Sequence, residues 1–153
     1  MKLVRSFTIK GAFHVPRGGK KPTKCFPGLN DLLEYARTNP YKYNNYKKKF
    51  ESIVINRSRV QLRGFKPKGR VRLHYFFFEP LDGHYRDYGN ISAGAEKIIL
   101  DALQIAKIIE NDSPKFVGPS RYTYIYTKDE PAITVEIEEI GDLVEIKDLE
   151  REE

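Results

Sequence analysis

The stretch DYGNISAGAEKIILDALQIAKIIEND, residues 87–112, is the most informative in the chain. A polar turn opens it, an Ala-, Ile- and Leu-rich segment fills it, and a second acidic-polar turn closes it. Ile98, Ile99, Ala102, Leu103, Ala106 and Ile109 recur at helical spacing and give a wide apolar face. The spacing predicts a helix from Ile91 to Ala106, with Asn90 or Ser92 capping its start, because their side chains accept bonds from free N–H groups there. Lys97 and Asp101 are four apart and share a face with Asn90.

These residue types suit metal-dependent phosphodiester chemistry. Hard cations such as Mg²⁺ take oxygen ligands, commonly one or two carboxylates plus a substrate phosphate. Asp87 and Asp112 bracket the helix and would hold the ion, provided the chain returns to the strand before it. Asn90 would orient the first turn and Lys97 would meet phosphate, while Asp101 either orders Lys97 or is a solvated helix residue. The same spacing also fits a surface helix between two Asp-bearing turns, since Asp and Asn are common turn residues.

The order Asp87-Tyr-Gly-Asn90, then Lys97-Ile-Ile-Leu-Asp101-Ala-Leu, then Ile109-Glu-Asn-Asp112 resembles the signature of RusA-type Holliday-junction resolvases. The likeness is clearest over residues 71–115 and extends to Pro27-Gly28-Leu29-Asn30, as in a phage-type variant. It implies a homodimer that binds four-way DNA junctions and cuts them with Mg²⁺, or Mn²⁺, in recombination, repair or phage DNA processing. The implied roles are metal ligands at Asp87 and Asp112 and catalytic support from Asn90 and Lys97, with Asp101 beside them. The resemblance also expects a carboxylate at position 89, where this chain has Gly89. A missing ligand weakens Mg²⁺ binding, so two expectations stand side by side: an endonuclease impaired at this position, and a non-catalytic protein that binds branched or single-stranded nucleic acid.

Charge points to a polyanion partner by an independent route. Residues 1–80 hold 19 Lys and Arg against 4 Asp and Glu, whereas residues 81–153 hold 8 against 17. The whole chain carries a formal charge of +6. A half this basic is an electrostatic footprint for nucleic acid. A hydrophobic content of 40% in 153 residues excludes wholesale disorder and suits one domain with a real core. No apolar run approaches the ~20 residues of a membrane span, so no membrane partner is expected. One cysteine, Cys25, fits a reducing cytoplasm, such as that of a bacterial or phage-infected cell. His74 and His84 have no second ligand at a zinc-like spacing.

On the N-terminal side, Leu3 to Ile9 reads as a first strand, and Gly11 to Pro27 as a loop whose Arg17, Lys20, Lys21 and Lys24 are candidate phosphate contacts. Leu29 to Val54 reads as helical, broken near Asn39-Pro40, with Tyr43, Tyr46 and Phe50 buried and Lys47, Lys48 and Lys49 directed to DNA. Residues 56–70 read as a basic connection ending in Arg70, a further candidate DNA contact. Val71 to Phe78 carries large apolar residues on both faces and reads as a central strand, followed by a turn that delivers Asp87. On the C-terminal side, Phe116 and Val117 read as the start of a short strand, and Arg121–Lys128 and Ala132–Ile140 as a hairpin or strand pair. The sum is a single-domain α+β fold, RusA-like, with a mixed β-sheet and flanking helices over residues 1–140, and an acidic tail at 141–153.

Overall fold

The computed structural model describes residues 3–10, 15–17, 20–23, 26–81, 85–145 and 147–148, with backbone only for 15–17 and 20–23. In chain order the elements are β1 (Val4–Lys10), β2 (Val15–Arg17), β3 (Lys20–Thr23), α1 (Leu29–Thr38), α2 (Pro40–Gln61), β4 (Arg70–Pro80), α3 (Tyr88–Ile105), β5 (Arg121–Thr127) and β6 (Ala132–Gly141). β2 and β3 form a separate antiparallel ribbon where a plain loop is expected from the sequence.

The main sheet has the order β1-β6-β4-β5. β4 pairs antiparallel with β6 and parallel with β5, so the sheet is mixed and β4 is internal, as its sequence predicts. The last two strands are no hairpin. They flank β4 on opposite sides, because β5 follows a return of the chain to the start of β4, where Val117 bridges Val71 in parallel. That bridge is all that Phe116 and Val117 contribute as strand.

One face of the sheet is dry. Phe7, Ile9, Leu73, Tyr75, Phe77, Val135 and Ile137 are nearly or fully buried and join one core with α2 and α3 through Phe50, Val54, Ile98, Ile99 and Leu103. The alternate register, Arg72, His74, Phe76 and Phe78 on β4 with Thr134, Glu136 and Glu138 on β6, is only half-buried. Phenylalanines on both sides of β4 therefore mark an inner strand of a two-layer fold with one lidless face.

Asn39 separates the first two helices and caps the second, its Oδ1 accepting from Tyr41 N and Lys42 N. Pro40 follows at the first helical position, where its missing N–H costs nothing. α2 then runs on to Gln61, seven residues beyond the expected end, since Val54 and Ser58 continue its buried face. At its end, Gln61 Nε2 donates to Thr8 O and Gln61 Oε1 accepts from Thr8 N, closing the outer edge of β1. The segment after Gly141 is tied back at Val144, whose N–H donates to Lys115 O at 3.4 Å.

Candidate nucleic-acid interface and the carboxylate-bearing helix

Asp87 is the N-cap of α3, exposed, in extended backbone conformation and with no side-chain capping bond. The preceding residue fixes it: Arg86 forks onto the buried Glu79 carboxylate with bonds of 2.8 and 2.9 Å and donates a third to Phe26 O. This bidentate pair pins the end of β4, the start of α3 and the lead into α1 at one point. Gly89 lies inside the first turn of α3, where a Cβ would meet nothing within 4 Å.

Asn90 does not cap the helix it opens. Its Oδ1 accepts from Asn30 N at 2.7 Å, at the start of α1. The N-cap of α1 is Gly28, which has no side chain to offer, so a neighbouring helix supplies the acceptor. Asp31 Oδ2 accepts from Gly28 N at 2.9 Å and completes the turn. One turn along, a Cβ on Gly94 would lie 2.6 Å from Leu29 N, so only glycine lets α1 come this close.

Lys97 and Asp101 sit where the spacing puts them, with Lys97 Nζ 3.5 Å from Asp101 Oδ2. The stronger partner of Asp101 is Lys47 on α2, at 2.7 Å, and Lys47 also lies 3.8 Å from Glu51. Burial pulls the Lys47 ammonium down, but the bond to Asp101 and its charge outweigh it, and the net shift is upward. Burial pushes the Glu51 carboxyl up, with Lys47 opposing. Asn90, Gly94 and Asp101 thus form a seam along which α1 and α2 dock on α3. Lys97, at 60% side-chain exposure, is the signature residue of that face left open to solvent.

Asp112 is exposed beyond the other end of α3. The 18 residues of α3 span about 27 Å at 1.5 Å per residue. Asp87 lies by the end of β4, and Asp112 lies by its start, near Pro114, whose carbonyl accepts from Arg70 Nε. One copy of the chain therefore does not bring the two expected metal ligands together. Among the described residues no group of three or more His, Cys, Asp and Glu side chains is arranged to hold a metal ion. Within one chain the return past α3 stops at the start of β4, at the far end of the helix from Asp87. Asp87 is an extended N-cap and Gly89 is helical, so side chains at 87 and 89 do not share a side as they would in an extended turn.

The candidate DNA contacts divide. Lys48 and Lys49 are exposed. Lys47 is turned inward to Asp101, and Arg70 is 5% exposed and bonded to Pro114 O, so both serve the fold. Arg17, Lys20 and Lys21 lie on β2 and β3, and Lys24 is outside the described residues.

A stronger surface emerges on α2. Lys42, Asn45, Lys49, Ser52, Asn56, Arg59 and, just past the helix, Arg63 follow one another in steps of three and four, and every one is exposed. Such steps place side chains in one row. The row holds four cations and three hydrogen-bonding groups with no acid, and the one acid of α2, Glu51, is buried on the opposite side. The run of adjacent lysines at 47–49 is a weaker marker of this row than the helical period of its polar residues.

Among the described residues no helix is long and apolar enough to cross a membrane. The chain matches no protein-family model and no curated protein sequence.

Proposed function

We propose that this protein binds branched DNA, with the α2 row from Lys42 to Arg63 laid along a phosphate backbone. That acid-free row is the observation that carries the reading. From Lys42 to Arg59 it extends about 26 Å at helical rise, long enough to meet several successive phosphates. The preference for branched DNA rests on the likeness of residues 87–112 to RusA-type resolvases, as does action by a pair of chains.

Cutting is the second reading. The shared order of Asp87, Asn90, Lys97, Asp101 and Asp112 favours a Mg²⁺- or Mn²⁺-dependent junction endonuclease. The separation of Asp87 from Asp112 and the glycine at 89 count against cutting by one chain, so binding is the activity this geometry supports best.

The test uses a labelled four-way junction, a duplex and a single strand of equal length. The junction is expected to bind most tightly, with little cutting in Mg²⁺. Lys49→Glu with Arg59→Glu is expected to weaken binding and lower the log–log salt slope by about 2, one for each phosphate no longer neutralised. Equal affinity for single strand, or an unchanged slope, would overturn the reading. Rapid cutting abolished by Asp112→Asn would establish the endonuclease instead.

A further inference from the structure

The two outer strands of the main sheet are finished differently. On β1, Gln61 occupies the outward backbone groups of Thr8 with two bonds, at 2.7 and 2.8 Å. On β5 no strand of the described residues lies on the outer side. Leu81 N donates to Thr127 O at 2.9 Å, so the backbone groups of Thr127 face β4. By alternation those of Ile125 and Thr123 do too, and those of Tyr122, Tyr124 and Tyr126 face outward.

Open edges are normally blunted by a lysine, a proline, a bulge or a short length. β5 has none of these. It runs for seven residues, Arg-Tyr-Thr-Tyr-Ile-Tyr-Thr, in unbroken register with β4. Exposed large side chains gather beside it: Tyr85 and Tyr88 at 55%, Leu81 at 46%, Tyr122 at 41% and Ile125 at 37%. Tyr88 stacks on Tyr124 at 4.2 Å and Tyr85 meets Tyr126 edge-on at 4.7 Å, so the strand's aromatic side is continuous with the start of α3. A patch of this kind marks an interaction surface.

We propose that β5 pairs antiparallel with β5 of a second copy, about a two-fold axis through Ile125, joining two four-stranded sheets into one of eight strands. The sequence of the strand is self-complementary in that register. Tyr124 falls opposite Tyr126 of the partner subunit, and their outward backbone groups exchange hydrogen bonds. Thr123 falls opposite Thr127 of the partner subunit. Aromatic and Thr–Thr pairs are favourable cross-strand combinations. Nucleic acid is the poorer occupant, because the acids along this edge, Glu96, Asp129 and Glu130, outnumber its cations, Arg121 and Lys128. The axis turns α3 of the second copy end for end on the same face of the sheet. Asp87 of one copy then lies at the same end of the pair as Asp112 of the partner subunit. The inference rests on the strand edge and stands without the DNA reading.

The test needs no DNA. In a Cys25→Ser background, Ile125→Cys puts one thiol on the axis, in a close non-hydrogen-bonded pair of the kind a disulfide bridges. Mild oxidation is expected to give a covalent dimer that reductant reverses, much faster than for Ser6→Cys on β1. Sedimentation of the unmodified chain is expected to show a dimer at micromolar concentration. Ile125→Lys sets two ammonium groups face to face and is expected to weaken the dimer by about tenfold or more, with circular dichroism unchanged. A monomer at that concentration, a dimer indifferent to Ile125→Lys, or crosslinking no faster than for Ser6→Cys overturns the proposal.

Discussion

Asn90 holds the start of a helix it does not belong to, its side-chain oxygen accepting the backbone N–H of Asn30 at 2.7 Å. Because Gly28 cannot cap α1 itself, removing this acceptor leaves a helix N-terminus unsatisfied. Asn90→Ala is expected to cost about 1 kcal/mol, a fall of about 2–4 °C in Tm. Asn90→Asp keeps the oxygen and is expected to keep the stability. Denaturant midpoints for the two variants check this, and a silent Asn90→Ala would remove the capping role.

Gly94 and Gly89 lie on the same helix and make a controlled pair. A methyl group on Gly94 presses into the backbone of Gly28 and Leu29, whereas one on Gly89 enters open space. Gly94→Ala is expected to destabilise by about 1–3 kcal/mol, more than offsetting the roughly 1 kcal/mol helix preference of alanine. Gly89→Ala is expected to be neutral or stabilising by up to about 1 kcal/mol. Equal effects in thermal unfolding would contradict the close approach of α1 to α3.

Lys47 and Lys49 are two residues apart and are expected to fail in different assays. Lys47 is held between Asp101 and Glu51, so Lys47→Ala and Asp101→Ala should each destabilise, with a coupling of about 1–2 kcal/mol in a double-mutant cycle. Lys49 is exposed, and Lys49→Ala is expected to change stability by less than about 0.5 kcal/mol while weakening DNA binding. A Lys47 variant that folds as well as the parent and loses only DNA binding would reverse this assignment.

The Tyr122 phenol contributes to the alkaline limit of stability. Burial, then the charge of Glu96 and the bond to it, push its pKa from 10.0 up to about 12. The folded state keeps the proton more tightly than the unfolded state, so the contribution is fully present below pH 10.0 and is lost as pH rises towards about 12. Tyr122→Phe and Glu96→Gln are each expected to flatten this part of the stability–pH curve. Ultraviolet titration of the tyrosines should show one fewer late-ionising phenol in Tyr122→Phe.

Most local elements were legible from neighbouring residues alone, but not the β2–β3 ribbon or the last two turns of α2. Helical spacing at 91–106, period-two patterning at 71–78 and the Asn39-Pro40 break each match their element closely. Charge segregation was equally plain, since it is a property of composition. Which residues meet across elements was a matter for the folded chain. The fold put β4 between β5 and β6, where the alternating patterns alone allow a hairpin, because strand pairing depends on the return of the chain at Val117. It turned Lys47 and Arg70 inward while Lys49 and Arg59 stayed outside, because direction around a helix or strand is fixed by what packs against it. It also separated Asp87 from Asp112: a signature fixes order along the chain, but a straight helix of 18 residues fixes the distance between its ends.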